Sequence, residues 1–225
     1  MITENRYKVA QEAERTSHIR KKDINILERR LSSAQKIVLP YIRQIESWVN
    51  NDSFSVVDVG SGPTCLARFF KSQKKAYVDP LMDFYQEYYR DKLPKACGST
   101  FIKSMAEEMP FPSESFDVAL CYNMLDHTFK PRTIVAEIKR VLKPGGYLLF
   151  GIYTHGSILK FIRTLGEKSI VFKERPHPHS FTIGNVMDMF KDTFIVKKCE
   201  ILKGKETIFN FRRRFYVLIL QRILG

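Results

Sequence analysis

The hydrophobic and polar positions near the start of the chain follow a helical period. Apolar side chains recur mostly three or four positions apart at Ile24, Ile26, Leu27, Leu31, Ala34, Ile37 and Val38. This spacing places them on one face of an amphipathic helix. Proline ends or kinks a helix, so Pro40 predicts an interruption, followed by a second short helix through residues 42–49. Residues 1–50 are therefore predicted to form an N-terminal helical cap.

From residue 54 onward, short apolar runs alternate with helical stretches. The runs typical of buried strands are residues 54–60, 76–80, 99–103, 116–123 and 147–152. Helical segments are predicted around Leu66, Phe69 and Phe70, then through Phe84 and Tyr88, and then over residues 133–142, where Lys-Pro-Gly-Gly breaks the helix. This alternation predicts βαβ units, which build a parallel sheet covered by helices on both faces.

The C-terminal part of the chain has a different pattern. Residues 179–190 predict a helix with Ser180 or Thr182 as its N-cap. Residues 194–202 and 213–223 predict two strands that form an antiparallel hairpin. The last of these segments is basic at its ends, but its length suits a core strand better than a membrane-binding helix.

The predicted fold is therefore α/β: a Rossmann-like, doubly wound, mostly parallel seven-stranded sheet with helices on both faces and a C-terminal antiparallel hairpin. Residues 51–225 form one domain in this interpretation, because 225 residues suffice for one domain with a substantial core. Residues 151–180 exceed a minimal connection between elements and are predicted to be an insertion.

The basic residues in excess lie toward the two ends of the chain. The net charge is +13. Residues 1–50 carry 10 basic and 6 acidic side chains, residues 51–150 carry 13 and 12, and residues 151–225 carry 14 and 6. The basic flanks would attract anions such as RNA, phosphorylated small molecules or an acidic membrane surface, while a contribution to solubility alone is an equal alternative.

Other bulk features exclude several classes of protein. No apolar run approaches the ~20 residues that span a bilayer, and the first ten residues lack the apolar region of a secretory signal. The four cysteines are far apart, which argues against a zinc site or a disulfide framework. We therefore expect a cytoplasmic protein without a transmembrane segment; its oligomeric state is left open.

The glycine pair Gly60 and Gly62 directly follows the first predicted strand, where the missing side chains permit a tight turn and the close approach of a ligand. Asp58 lies inside this apolar strand, so its carboxylate needs hydrogen-bond donors or a cation. Asp79 comes 21 residues later, where a carboxylate can accept hydrogen bonds from ribose hydroxyls. The alternative is that the two glycines only form a tight turn and bind no ligand. The same features would fit a nicotinamide-dependent dehydrogenase, but Cys65 stands where such an enzyme has the third glycine of its turn.

Four segments occur in an order that is more specific than any one of them: residues 56–64, 77–80, 106–117 and 142–150. On these segments the chain resembles class I S-adenosylmethionine-dependent methyltransferases of the small-molecule branch, similar to methyltransferase type 11, over residues 54–152. Thr64 stands where the family often has a further glycine. The resemblance implies S-adenosylmethionine as methyl donor, S-adenosylhomocysteine as product and a small molecule as acceptor.

The resemblance also implies roles for individual residues. The methionine part of the cofactor would be bound by the turn Gly60, Ser61 and Gly62, with Asp58 near its ammonium group, and Asp79 would hold the ribose. Pro80 and Leu81 would lie against the adenine. Met105 is also counted among the cofactor-binding residues, but it stands where the family often has an acidic residue, so recognition of the adenine amino group would fall to the backbone around Ala106 and to Glu107. Tyr122 and Asn123 would lie near the sulfonium.

The histidines are candidates for a general base. His127, His155 and His179 are predicted catalytic candidates, since imidazole titrates near neutral pH, and Asp126 is a further one. Packing or helix capping is an equal alternative for His127. The pair His177 and His179 could bind a metal, but no third ligand is near, so no metal site is predicted.

We expect the N-terminal helices and residues 151–180, which are basic, to enclose the acceptor together. Deleting residues 1–45 is then expected to abolish methyl transfer while cofactor binding remains. Two alternatives stay open: an RNA methyltransferase, which the charge favours, and a catalytically silent binding subunit that retains the fold.

Overall fold

The computed structural model describes residues 24–51, 53–95, 98–155, 179–203 and 214–224, together with Lys8, Glu12, Arg15 and Thr16. In these ranges the elements are, in chain order, α1 (Ile24–Val49), β1 (Ser55–Val59), β2 (Lys74–Val78), α2 (Met82–Tyr88), β3 (Ser99–Ile102), β4 (Phe116–Tyr122), α3 (Pro131–Val141), β5 (Leu142–Thr154), α4 (Ile183–Phe190), β6 (Phe194–Lys203) and β7 (Arg214–Arg222). Two short 3₁₀ turns, Leu66–Phe69 and Leu125–His127, follow β1 and β4.

The strands form one seven-stranded sheet in the order β3-β2-β1-β4-β5-β7-β6. The first five strands in this order are parallel, and β7 pairs antiparallel with both β5 and β6. The predicted sheet with its C-terminal antiparallel strands is confirmed. Six consecutive residues of β7, numbers 215–220, are buried, so the last apolar segment is a core strand.

The alternation of side chains in the strands sends successive residues to opposite faces of the sheet. On one face, Val56 packs in the same hydrophobic cluster as Val38, Ile42 and Ile45 of α1. On the other face, Val57 packs in the cluster that contains residues of α3 and α4. The predicted arrangement of helices on both faces is therefore confirmed.

The predicted interruption at Pro40 does not end α1. The structure has a single helix of 26 residues, Ile24–Val49, with Pro40 inside it. A proline in a helix interior costs about 3 kcal/mol, because it removes a backbone donor and clashes with the preceding turn. Burial of Val38, Tyr41 and Ile42, each at most 3% exposed, offsets that cost on both sides of the proline.

Other elements also differ from the sequence interpretation. The segment after the glycine turn is a 3₁₀ turn, Leu66–Phe69, rather than an α-helix. β5 begins at Leu142, immediately after α3, and continues to Thr154, so the first four residues of the predicted insertion belong to a strand. Residues 156–178, with the basic side chains predicted there, lie outside the described residues.

The N-cap of α4 is Thr182. Its hydroxyl accepts a hydrogen bond from the backbone N–H of Asn185 at 3.3 Å, and the Asn185 side chain accepts one from the Thr182 backbone N–H. This reciprocal pair is a capping box. Of the two predicted caps, Thr182 is thus the one that the helix uses.

In the described ranges, no helix combines the length and the apolar character that crossing a membrane requires.

Candidate functional site

The site lies where the strand order reverses, at the carboxyl ends of β1 and β4. Such switch points leave a crevice in open α/β sheets. After β1 the chain turns at Gly60 and Gly62, which have φ angles of +67° and +52°. A Cβ atom on Gly60 would lie 2.8 Å from side-chain atoms of Met124, which follows β4. Only glycine therefore permits both the turn and this close approach.

Asp79 binds the glycine turn from the neighbouring strand. Its Oδ2 accepts a hydrogen bond from the backbone N–H of Gly62 at 3.0 Å, and its Oδ1 accepts one from Leu81 at 2.9 Å. The backbone N–H groups of Gly60 and Ser61 both donate to the carbonyl of Val78. The carboxylate predicted to hold ribose is thus fixed between two loops.

Asp58 points toward the α1 face of the sheet, where the 3₁₀ turn after β1 covers it. Its Oδ2 accepts a hydrogen bond from the backbone N–H of Ala67 at 2.9 Å, and the residue is 2% exposed. The expectation that this carboxylate meets hydrogen-bond donors is confirmed. Burial raises the pKa of Asp58 to about 7, the Ala67 bond opposes this rise, and the charge of Asp79 adds to it.

These elements open into a cavity of about 810 Å³. Eleven of the twelve residues predicted to bind the cofactor line it: Asp58, Gly60, Ser61, Gly62, Asp79, Pro80, Leu81, Ala106, Glu107, Tyr122 and Asn123. Met105 is half-buried and does not line the cavity. The structure therefore brings together residues from four loops that are up to 65 positions apart in the sequence.

Glu107 has a local structural partner as well. Its Oε1 accepts hydrogen bonds from the backbone N–H groups of Phe129 and Lys130, each at 3.1 Å. Lys130 is the N-cap of α3, whose side chain caps nothing itself. The Glu107 carboxylate thus supplies the acceptor that the start of this helix needs.

An aromatic wall forms part of the cavity lining. We use this name for Tyr122 of β4, Tyr153 of β5 and Phe215 of β7. The ring of Phe215 lies 5.1 Å from that of Tyr122 and 4.6 Å from that of Tyr153, between ring centroids. Leu202 of β6 lines the cavity beside them. Aromatic pairs at these distances stabilise each other and form a rigid apolar surface.

The N-terminal half of α1 covers the cavity. Ile26, Arg30, Ser33 and Ile37 recur at intervals of four, three and four residues, so they share one helical face, and all four line the cavity. The C-terminal half of the same helix packs on the sheet through Val38, Ile42 and Ile45. One continuous helix therefore joins the hydrophobic core to the roof of the site.

Of the three histidines predicted as catalytic candidates, only His127 lines the cavity. Its Nε2 lies 3.8 Å from Oδ1 of the buried Asp126. His155 is buried outside the cavity lining, and its backbone N–H donates to Phe181. The Nε2 of His179 lies 3.0 Å from the carbonyl oxygen of Thr128, and burial lowers the pKa of this histidine. His177 lies outside the described residues.

Sequence reasoning missed part of the lining. The additional residues are Pro63, Thr64, Leu66, Tyr85, Met124, Thr128, Tyr153, Leu202, Phe215 and the α1 residues Ile26, Leu27, Arg29, Arg30, Ser33, Ala34 and Ile37. The apolar helical spacing that includes Ile26, Ala34 and Ile37 carried a signal for the α1 face. Tyr153 and Phe215 gave none, because their contact depends on pairing between β5 and β7. Within the described ranges, no group of acidic, histidine and cysteine side chains could hold a metal ion.

Comparison with known proteins agrees with this geometry. Residues 57–150 match the family model for a methyltransferase domain. An uncharacterized methyltransferase of Mycobacterium avium is 29% identical over 92 residues, which cover 41% of this chain and 36% of that protein. A ubiquinone biosynthesis O-methyltransferase of Pseudomonas putida is 25% identical over 153 residues, which cover 66% of this chain and 57% of that protein. This chain therefore spans less than two thirds of the length of either relative.

Solved structures share the whole architecture. The 1,6-didemethyltoxoflavin-N1-methyltransferase of Burkholderia thailandensis, solved with 1,6-didemethyltoxoflavin and S-adenosylhomocysteine bound, aligns with a TM-score of 0.62 at 13% identity over 99% of this chain and 92% of that one. At this identity the likeness shows the common fold. The family match covers β1 through β5, the strands that build the glycine turn, Asp58 and Asp79. Residues 57–150 thus match a methyltransferase domain, and the chain shares the fold of solved methyltransferase structures.

Proposed function

We propose that this protein transfers a methyl group from S-adenosylmethionine to a small molecule, and that the basic flanks favour an anionic acceptor. The observation that carries the proposal is that one cavity contains both the turn between Asp58 and Asp79 and the aromatic wall under α1. Its volume of about 810 Å³ lies in the upper part of the range of ~300–1,000 Å³ for ligand sites, which leaves room for a second molecule beside a cofactor.

The donor set at the β1 end suits S-adenosylmethionine. Two buried polar atoms that line the cavity, Ser61 Oγ and Asn123 Oδ1, have no hydrogen-bond partner among the described residues. A Cβ atom on Gly62 would meet nothing within 4 Å, so this part of the turn is open to a ligand. Asp58, Ser61 and the turn would bind the amino-acid part, and Asp79 would bind the ribose hydroxyls. Buried polar atoms without partners are costly, so a polar ligand would stabilise them.

When bound, S-adenosylmethionine supplies an electrophilic methyl group on a sulfonium; its carbon–sulfur bond breaks as the acceptor atom takes the methyl, and the electron pair stays on sulfur. The aromatic wall would hold the acceptor in line with that bond, and α1 would exclude water. Orientation of this kind supplies a large part of the acceleration in displacement reactions.

His127 is the residue that could remove a proton from the acceptor. It lines the cavity, and the Asp126 carboxylate beside it would stabilise the charged imidazole. A hydroxyl acceptor requires such a base, whereas an amine that is already neutral does not. Replacement by glutamine is then expected to reduce transfer to a hydroxyl without changing cofactor affinity.

Two relatives support a small acceptor. One is named for an O-methylation in ubiquinone biosynthesis, and the other is an N1-methyltransferase solved with 1,6-didemethyltoxoflavin bound. The alternative of an RNA acceptor rests on the +13 charge. The alternative of a silent binding subunit would retain the fold without the reaction.

Calorimetric titration with S-adenosylhomocysteine tests the cofactor site. Asp79→Ala is expected to weaken binding by about 1–3 kcal/mol, because ribose hydroxyls and the N–H groups of Gly62 and Leu81 lose their acceptor. Asp79→Asn keeps one acceptor oxygen and should weaken binding less. Asp83→Ala is the matched control, since Asp83 pairs with Lys103 at the exposed surface and does not line the cavity. Unchanged affinity in Asp79→Ala would remove this residue from the site.

The acceptor class is tested with methyl-labelled S-adenosylmethionine and fractionated host lysate. Label in the small-molecule fraction is the expected result. Label that enters RNA and disappears on nuclease treatment would establish the RNA alternative. Cofactor binding without label in any fraction would indicate a silent subunit.

A further inference from the structure

We propose that Arg30 of α1 binds the carboxylate or phosphate group of the acceptor, and that the acceptor combines this anionic group with an apolar body. This inference rests on the proposed methyl transfer and assigns its substrate class. Arg30 would be a specificity-determining residue that does not take part in the displacement itself.

Arg30 is an exposed residue on the face of α1 that lines the cavity. It shares a helical face with Ile26, Ser33 and Ile37, and every member of this face lines the cavity. Leu27, on the neighbouring stripe, is 6% exposed and packs with Tyr85 and Tyr89 of the α2 region. These contacts hold the first turns of α1 against the body of the protein, so the helix sets where the backbone of Arg30 lies beside the cavity.

The charges of the cavity leave Arg30 available for an anion. Among the described residues, the cavity is lined by two side chains that carry a full positive charge, Arg29 and Arg30. The three acidic residues of the lining, Asp58, Asp79 and Glu107, each accept hydrogen bonds from backbone N–H groups. Arg30 forms no ion pair with any residue that the structure describes. A guanidinium presents a planar fork of donors that matches a carboxylate or a phosphate.

Residues further along α1 indicate that the rest of the acceptor is apolar. Ile37 is seven residues beyond Arg30, which is about 10 Å along the axis at 1.5 Å per residue. Ile37 packs against the same hydrophobic cluster as Tyr122, Tyr153 and Leu202, which line the cavity. A molecule anchored at Arg30 would therefore lay its apolar part against the aromatic wall. Aromatic rings and aliphatic chains bury well on such a surface.

The test separates the acceptor from the cofactor. A small-molecule extract of host cells is first divided on an anion exchanger, and the retained and unretained fractions are then offered separately as acceptors with methyl-labelled S-adenosylmethionine. Fractionation before the reaction matters, because methylation of a carboxylate would remove its charge. The variants are Arg30→Ala, Arg30→Lys and, as a matched control on an exposed part of the same helix, Lys36→Ala. S-Adenosylhomocysteine affinity is measured for each variant.

The expected result is labelling of the anionic fraction by the wild type, unchanged S-adenosylhomocysteine affinity in all variants, and at least about a tenfold loss of labelling in Arg30→Ala. Arg30→Lys should retain part of the labelling, since it keeps the charge without the fork. Labelling confined to the unretained fraction, no labelling by a wild type that binds S-adenosylhomocysteine, or equal labelling by Arg30→Ala and Lys36→Ala would overturn the inference.

One outcome would show that the Arg30 guanidinium binds the cofactor and not the acceptor. If Arg30→Ala loses affinity for S-adenosylhomocysteine but keeps it for 5′-methylthioadenosine, which lacks the amino-acid part, the residue binds the cofactor carboxylate and the inference is wrong. Failure of the proposed function itself has a different signature, because the wild type would then label neither small-molecule fraction, whereas failure of the inference alone leaves labelling in the unretained fraction or in Arg30→Ala.

Discussion

Asp58 occupies a position where burial and ligand binding have opposite effects on one carboxyl group. Burial favours its neutral form, and the N–H group of Ala67 favours the charged form. A bound ammonium group would add to the second effect. The balance places the pKa near the pH at which enzymes work, so the protonation state of this residue responds to the ligand.

The first prediction concerns this titration. Because its folded-state pKa of about 7 exceeds the unfolded value, Asp58 lowers the free energy of unfolding as pH rises from about 4 to about 7, and the effect is constant above that window. If the ammonium binds only the ionised carboxylate, S-adenosylhomocysteine affinity should increase by about tenfold from pH 6 to pH 8. Calorimetric titration across this range measures it, and Asp58→Asn should abolish the slope. An affinity that does not change with pH in the wild type would contradict the assignment.

The second prediction compares the two glycines of the turn. Both have positive φ, so alanine at either position should cost about 1–2 kcal/mol in backbone strain. Gly60→Ala should cost a further ~1–3 kcal/mol, because its Cβ would lie 2.8 Å from the Cβ of Met124, whereas Gly62→Ala projects into open space. Urea unfolding of the two variants measures the difference. Adding Met124→Ala removes the Cγ and Cε atoms that the new Cβ would meet but keeps the Met124 Cβ, so it should relieve only part of the loss in the Gly60 variant; equal losses in both single variants would count against this packing.

Among the elements, α1 has two structural roles: one half packs in the hydrophobic core and the other half lines the cavity. Its C-terminal half belongs to the hydrophobic core, and polar contacts tie it to the edge strand: the Tyr41 hydroxyl donates to Glu200, and Lys198 bonds Gln44 at 3.2 Å. Its N-terminal half projects beyond these contacts over the cavity. One helix therefore carries core residues in one half and cavity-lining residues in the other.

The third prediction follows from this division and corrects the expectation for the deletion of residues 1–45. That deletion removes Val38, Tyr41, Ile42 and Ile45, which are 0–3% exposed. At about 2–4 kcal/mol for each buried side chain, the loss approaches the whole stability of a domain, so the protein should not fold. Deletion of residues 1–32 keeps these side chains and should leave a folded protein that binds S-adenosylhomocysteine without methyl transfer. Circular dichroism and the labelling assay distinguish the two truncations; full transfer by the shorter truncation would show that the N-terminal half of α1 is dispensable.

At the scale of the whole molecule, charge and cavity point to different ligands. A net charge of +13 attracts any polyanion, whereas the cavity of about 810 Å³ has the size of a site for a small ligand. Binding to a phosphate backbone releases counterions and therefore depends steeply on salt. A single ion pair at an exposed guanidinium such as Arg30 is also screened, but it depends on salt far less steeply than the release of several counterions.

The fourth prediction uses this difference. Between about 50 and 200 mM salt, affinity for a labelled RNA oligonucleotide should fall at least tenfold, while S-adenosylhomocysteine affinity and methyl transfer to the small-molecule fraction change little. Fluorescence anisotropy measures the first, and the labelling assay measures the second. Transfer that falls with the same slope as RNA binding would favour the RNA alternative.

The sequence by itself determined the features that depend on neighbouring residues. Apolar runs alternating with helical stretches predicted the strands and the parallel direction of most of them. The glycine pair predicted the turn after β1, and the carboxylate of Asp58 inside an apolar strand predicted buried hydrogen-bond donors. Each of these follows from local steric or solvation rules. Only the tertiary structure decided which of three histidines reaches the cavity, that α1 continues through Pro40, and that Arg30 and the aromatic wall face the same space. These outcomes depend on packing between residues far apart in the chain, where burial gained at one position offsets a local cost at another.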